Sequence, residues 1–253
     1  MLLLYLLALV VVPLWQEAVP ASANTWQGRE HVVEEYLRTA KVTRIEELTI
    51  GVTRPQRAFL EPGGLADSFA WKKIPPGRHQ GYWDSYKSDI AAYELDKLLG
   101  LGMVPVTVER RVQGDRGAAV LWLNGVLSWN DAQKMPKPAS WARQIVRMKM
   151  FDNLIGNHDR NQGNLLVDRA GNLFLIDHSR AFINNRNLPQ KLDHYDPGLW
   201  QRMLALDLAT LKGKIGQYVA GDGALKDMLQ RRDRMQKAID ELVAKTGEQA
   251  AIR

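Results

Sequence analysis

Residues 157–164 read Asn157-His158-Asp159-Arg160-Asn161-Gln162-Gly163-Asn164, and the reading of this octet decides the fold. It is polar throughout, yet ordered patterns flank it on both sides. Upstream, Trp141–Ile155 carries helical apolar spacing. Downstream, residues 164–167 and 173–176 read as two short strands around an Ala170-Gly171-Asn172 turn. The octet is therefore a loop held by rigid elements. Asp177 closes the second strand, and a hairpin would return it beside Asp159 and Asn164. Phosphoryl transfer from a nucleotide needs such a set. One carboxylate serves the attacking hydroxyl, and a carboxylate with an amide oxygen holds the divalent metal on the phosphates. Asp159 is the candidate base, and Asn164 and Asp177 are the candidate ligands for Mg²⁺ or Mn²⁺, which prefer hard oxygens. The plain alternative is that these residues only form turns and that Asp177 only ends a strand. Loop, hairpin and Asp177 together weigh against it.

The N-terminal half supplies a second, independent line. Strand patterns cover residues 45–50, 57–61 and 68–74, with Gly51-Val52-Thr53-Arg54-Pro55 and Pro62-Gly63-Gly64 between them. In nucleotide kinases a lysine on the third strand meets the phosphates, and an acid on the next helix steadies it. Here the third strand holds Ala70-Trp71-Lys72-Lys73. With period two, Ala70 and Lys72 share one face, while Phe69, Trp71 and Lys73 share the other. A small residue beside the lysine leaves room for an adenine ring, so Lys72 is the phosphate candidate and Lys73 a solvated edge. Gly51 and Arg54 are placed to cover phosphates from the first loop. The next helix spans residues 85–100, with Asp89 and Glu94 on opposite borders of its apolar stripe at about 100° per residue. That geometry does not choose between the two acids.

Further patterns give an opening helix over 30–42, strands over 104–112 and 118–123, and a helical C-terminal part. Strands and helices are segregated, so the expected class is α+β with two lobes, a strand-rich N-lobe over 24–125 and a mostly helical C-lobe over 126–253. The chain has 253 residues with 45% hydrophobic content, which suffices for a sizeable core. It has no cysteine, which excludes disulfides, thiolate metal sites and Cys nucleophiles. The formal charge of +6 suits acidic partners such as nucleotides. Nucleic acid has nothing but that charge to recommend it. The leader MLLLYLLALVVVPLWQEAVPASA, residues 1–23, has the form of a signal peptide with an Ala-x-Ala site before Asn24. Its apolar run is short against the ~20 residues of a bilayer span. The expectation is export with cleavage, leaving no stable membrane span.

Three separated blocks, in order, carry a family resemblance. KSDIAAYELDKLLGLGMVPVTVERR, FDNLIGNHDRNQGNLLVD and LFLIDHSRAF together resemble the secretory-pathway kinase-like family of Golgi casein-type and xylose kinases, especially its bacterial relatives. More distantly, the loop is similar to that of phosphatidylinositol 3-/4-kinases and HipA-type kinases, in an Asp-Arg-x-x-x-Asn arrangement. The resemblance implies an atypical bilobal kinase fold using ATP and Mg²⁺ or Mn²⁺. It places Asp159 at the catalytic position, Asn164 and Asp177 at the metal, and Lys72 at the phosphates. It also selects Asp89 over Glu94. Two departures stand: the family more often has Glu at the position of Asp89, and its metazoan members are rich in disulfides. The second points to a bacterial-type protein, periplasmic or secreted.

The expected activity is transfer of a nucleotide's γ-phosphoryl group to a hydroxyl of a protein, sugar or lipid. Two rivals are a pseudokinase that binds nucleotide or a partner without turnover, and a metal-dependent phosphohydrolase built on His158 and His178. The tryptophans at 122, 129, 141 and 200 read as core or lobe contacts, and Arg231-Arg232-Asp233-Arg234 as a solvated helix face. Cleavage predicts a mature chain starting at Asn24. Mass spectrometry of an exported fraction should show that terminus, and an intact Met1 in a cytosolic fraction would refute it.

Overall fold

The Lys72 strand lies at the centre of a five-stranded sheet, and the rest of the fold is arranged around it. The structure, a computed structural model, describes residues 26–48 and 55–253. The leader 1–23, the start at Asn24, and Gly51 and Arg54 lie outside the described residues. Helix α1 (Glu30–Thr39) precedes strands β1 (Val42–Glu47), β2 (Gln56–Leu60) and β3 (Ser68–Lys72). A small hairpin of β4 (Gly77–His79) and β5 (Tyr82–Asp84) leads into α2 (Tyr86–Leu99), followed by β6 (Thr107–Val112) and β7 (Asp115–Leu121). The sheet order is β1-β2-β3-β7-β6, antiparallel throughout. In β3, Phe69 and Trp71 are buried, while Ala70 and Lys72 face the other side half-buried, as period two requires. Lys73 is exposed and paired with Asp115 at 2.9 Å.

Helix α2 is set at both ends. Ser85 accepts from the Lys87 N–H at 3.1 Å as N-cap, and Gly100 terminates it in the left-handed region at φ 56°. Ala91, Ala92, Leu95 and Leu99 form the fully buried face. The turn after it is closed by the buried Asp96 carboxylate, which accepts the N–H groups of Gly102, Met103 and Val104 at 2.9–3.0 Å. Those donors would otherwise be orphaned in the interior.

The second half carries β8 (Leu127–Ser128), α3 (Trp129–Ala132), α4 (Trp141–Ile155), β9 (Leu165–Val167) and β10 (Leu173–Leu175). It ends with α5 (Pro197–Leu204), α6 (Leu208–Ile215), α7 (Asp222–Thr246) and α8 (Glu248–Ala251). A β10-β9-β8 sheet forms the hairpin expected around residues 170–172. Trp129 and Trp141 stack with centroids 5.4 Å apart, and Trp200 is buried. Asp196 caps α5 through the Leu199 N–H and binds Arg143 and Arg147 of α4, which locks the two helices together.

Several details depart from the sequence reading. The first strand runs Val42–Glu47 and so starts before the expected residue 45, because pairing with β2 sets its register and its charged edge gives no alternation; residues 49–50 of the expected strand lie outside the described residues. The polar segment after β3 holds the β4–β5 hairpin, whose two turn residues Gln80 and Gly81 have φ 50° and 88°. Positive φ at both positions marks the tight primed turn that matches strand twist. Arg231 is fully buried instead of solvated, donating from Nε to the Leu154 carbonyl at 3.0 Å and from Nη1 to the Asn185 carbonyl. The 3.6 period of α7 puts it in one stripe with Met228 and Met235, and Gly156 leaves the space its guanidinium fills.

Gly117 in β7 connects this packing to Lys72. A Cβ there would lie 2.3 Å from the Lys72 carbonyl oxygen and 2.7 Å from the Trp71 ring. A glycine in a strand interior often marks such a close approach. Gly117→Ala should therefore destabilise the fold by about 1–3 kcal/mol, as overpacking does. Chemical denaturation should show a lower midpoint with unchanged slope.

Candidate active site

Three elements converge on one ammonium group. Lys72 at the end of β3 donates to both Asp89 oxygens at 3.0 and 3.1 Å and to Asp177 Oδ1 at 2.8 Å. Asp89 comes from the first turn of α2, and Asp177 follows β10. Side-chain exposures of 13% for Lys72, 3% for Asp89 and 32% for Asp177 make Asp177 the most accessible of the three. Asp89 also accepts the His178 N–H at 2.9 Å, so its position is fixed from both sides. Glu94 instead pairs with Lys97 at 3.2 Å and does not meet Lys72.

The electrostatics follow from two carboxylates sharing one cation. Burial opposes the charge on Lys72, but Asp177 and Asp89 outweigh it and raise its pKa. Lys72 draws the Asp177 carboxyl down to about 2 against the effect of burial. Asp89 moves the other way, since burial pushes it up further than Lys72 pulls it back. The cluster is short of positive charge, which suits a divalent cation. Asp177 also sits in the left-handed region at φ 58°, a conformation that a non-glycine residue holds only when its surroundings impose it.

The octet 157–164 is organised from beneath by two residues to which the sequence assigned no role. Asp152, fully buried near the end of α4, receives Arg160 at both oxygens, 2.9 and 3.0 Å, together with the amides of Asn157 and Gln190. Arg160 spends its remaining donors on the carbonyls of Asn164 and Ile176 at 2.9 and 2.8 Å, and on His178 Nε2 at 2.9 Å. One guanidinium thus ties the loop to the segment that carries Asp177. A guanidinium only donates, so His178 Nε2 must be the acceptor and the ring is neutral. Burial, with Arg160 and Lys72 nearby, holds the His178 pKa well below the usual value. His178 is therefore committed to the scaffold, and His158 bonds to Asn185 at 3.2 Å. Among the described residues no group of three or more His, Cys, Asp or Glu is placed to hold a metal.

Asp159 projects from this frame with 43% of its side chain exposed, 3.3 Å from Arg180. Asn164 donates its amide nitrogen to the Asp159 carbonyl at 3.2 Å, which turns the amide oxygen away from that carbonyl. The Ile176 N–H bonds to the Asn164 carbonyl at 3.1 Å, so the Asn164 and Asp177 segments run side by side. A carboxylate and an amide oxygen, with no thiolate or imidazole, fit Mg²⁺ or Mn²⁺. A cleft of about 430 Å³ opens beside Lys72 and Asp89, bordered by Gln56, Trp71 and Ser179.

Asp152 and Arg180 were absent from the sequence-derived set. Asp152 carried one signal, a lone acid in the apolar run Met148–Ile155 of a helix end; Arg180 carried none beyond its position near Asp177.

The sheet, with α1 and α2 packed on it, and the loop–hairpin unit define a kinase-like fold. Residues 44–196 match the family described as phosphatidylinositol 3- and 4-kinase, and the chain belongs to that family. Solved structures agree on the fold. A hydra Fam20 structure with sugar superposes with a TM-score of 0.67 at 16% identity, covering 88% of this chain and 91% of that one. The Golgi casein kinase with Mn/ADP bound gives 0.67 at 13%, covering 87% and 78%. The Helicobacter pylori proinflammatory kinase CtkA gives 0.53 at 10%, covering 83% and 98%. No curated protein matches the sequence. Among the described residues no helix is long and apolar enough to cross a membrane.

Arg160→Met tests the frame. It leaves the buried Asp152 charge without its main partner, a loss of about 3–5 kcal/mol for a broken buried pair. Urea denaturation should show a drop of that size. A variant within 1 kcal/mol of the parent would show that the guanidinium does not hold the loop.

Proposed function

We propose that this chain transfers the γ-phosphoryl group of a metal-bound nucleotide, ATP in the first instance, to a hydroxyl of a protein, sugar or lipid outside the cytoplasm. The observation that carries this reading is Lys72 joined to Asp89 and Asp177 from three separate elements. The Mn/ADP of the Golgi casein kinase and the sugar of the hydra Fam20 structure support a nucleotide, a divalent metal and a hydroxyl-bearing acceptor here. The N-lobe is taken as 24–125 and the C-lobe as 126–253, with Gly51 and Arg54 over the phosphates and the chain cleaved before Asn24.

Each side chain has one task in this scheme. Asp177 and Asn164 would hold the divalent cation, which when bound neutralises charge on the phosphates. Lys72, kept protonated by its two acids, faces the phosphate oxygens, and Asp89 keeps it from following Asp177. Asp159 orients the acceptor hydroxyl and takes its proton at a carboxylate oxygen. The acceptor oxygen bonds to the γ-phosphorus as the bond from the β–γ bridging oxygen to that phosphorus breaks. In the pseudokinase alternative, nucleotide occupies the same place without turnover. Asp89, although a methylene shorter than Glu, still reaches Lys72 at 3.0 Å, which favours turnover.

Two variants separate the roles. Asp177→Ala should abolish Mn·ATP binding by calorimetry, and wild-type affinity there would remove the metal role. Asp159→Asn should bind Mn·ATP normally and lose about 10²–10⁴-fold in transfer, the size of a general-base contribution. Radiolabelled transfer at the parental rate would exclude Asp159 from the chemistry.

Lys72→Met and Asp89→Asn should be similarly inactive, whereas Lys73→Met and Glu94→Gln should resemble the parent. A double-mutant cycle on positions 72 and 89 measures their coupling, and purely additive effects would mean that they act separately.

A further inference from the structure

A second cavity, of about 540 Å³, has Asp159 in its wall. Arg78, Tyr82 and Trp83 of the β4–β5 hairpin line it together with His158, Asp159 and Arg180. Lys72 and Asp89 border the other cleft and Asp159 lines this one, so the base opens on a space that shares no lining residue with that cleft.

Arg180 spans the space between the hairpin and Asp159. Its Nε donates to Asp84 Oδ1 at 3.1 Å, and its Nη1 lies 3.3 Å from Asp159 Oδ2. Its guanidinium carbon sits 4.4 Å from the centroid of the Tyr82 ring. The Asp84 end is immobile, because that carboxylate is buried and also accepts the Ser179 hydroxyl at 3.1 Å. The Ser85 N–H bonds to the Ser179 carbonyl at 3.0 Å, so the base of the hairpin is pinned to the segment after Asp177. Asp159 is the exposed, adjustable end. A planar guanidinium serves two carboxylates and a ring face at once, which an ammonium group does not. Burial weighs against its charge, and Asp84, Asp159 and Asp177 together raise its pKa, so the cation is firm.

We infer that Arg180 is a positioning residue on the acceptor side, which sets the Asp159 carboxylate from the anchored Asp84 and couples it to the β4–β5 hairpin. The inference rests on Asp159 serving as the base in the proposed transfer. The hairpin is then a wall of the acceptor site whose position is transmitted to the base. Any acceptor that displaces Tyr82 also moves the guanidinium that holds Asp159.

The experiment uses the full chain with water as the acceptor, following Mn·ATP hydrolysis, together with amide hydrogen exchange. Arg180→Ala should speed exchange at residues 79–84 and 158–161 by about tenfold or more, while exchange in β3 stays at the parental level. Its kcat should fall by about tenfold or more with KM for ATP and Mn·ADP affinity within about twofold, the pattern of a group that acts beyond nucleotide binding. Free guanidinium should restore part of that kcat. Arg180→Lys keeps the charge and should show the same kcat loss, because it cannot span both carboxylates. Lys73→Met should leave every readout unchanged. Parental exchange or parental kcat in both Arg180 variants overturns the inference, as does a loss confined to KM. If the parent neither binds Mn·ADP nor turns over, the phosphotransfer reading fails on its own, and the exchange measurement alone decides whether Arg180 ties the hairpin to the loop.

Discussion

Everything in this molecule is arranged so that one lysine can meet two carboxylates that come from different parts of the chain. Lys72, Asp89 and Asp177 belong to a strand, a helix and the segment after a hairpin, and no local pattern brings them together. The sheet fixes the first, the buried alanines and leucines of α2 bring the second close, and the core beneath β10 delivers the third. A short acid on α2 reaches the lysine, in keeping with a helix whose small residues Ala91 and Ala92 permit close packing. Both are fully buried, and Asp89 is held from behind by a backbone amide. Packing and electrostatics are the same problem here.

A second constraint works at right angles to the first. Asp152 and Arg160 form a buried ion pair whose remaining donors are all spent on backbone and on His178. Such a pair adds little net stability over an apolar core, but breaking it is costly. Its value lies in geometry: the loop bearing Asp159 and Asn164 cannot slide relative to the segment bearing Asp177. The charged groups in contact with the cleft are thereby held by charged groups that never see it. The same logic extends outward through Asp84 and Arg180, again with a buried carboxylate as the fixed end.

How much of this was legible in the sequence depended on whether the signal was local. The helix Trp141–Ile155 and the faces of β3 were readable because apolar periodicity is written in consecutive residues. The return of Asp177 to the loop was readable because an Ala-Gly-Asn turn sits between two short apolar runs. Periodicity did not choose between Asp89 and Glu94, since both flank the apolar stripe; the family resemblance selected Asp89, and the packing of α2 on the sheet brings it to Lys72. The β4–β5 hairpin escaped because strands of three residues are too short to show alternation and Gln80-Gly81 lacks the usual Asn-Gly signal. Arg231 read as surface because a buried guanidinium depends on carbonyls from Leu154 and Asn185, far away in the chain. Arg232 is half-buried and donates to the Leu206 carbonyl at 2.6 Å, while Arg234 stays exposed, although the sequence gives the three the same texture.

The left-handed backbone at Asp177 has a consequence for how such a chain can change. At φ 58° a glycine is at ease, whereas an L-residue carries a penalty of about 1–2 kcal/mol, eased somewhat for Asp by its short polar side chain. Replacement by glycine would relieve that strain and leave Lys72 balanced by Asp89 alone. The most comfortable residue for the backbone is thus one that has no carboxylate to offer. In this chain the aspartate is held at the backbone's expense, and what offsets that expense is a carboxylate that glycine could not supply to Lys72.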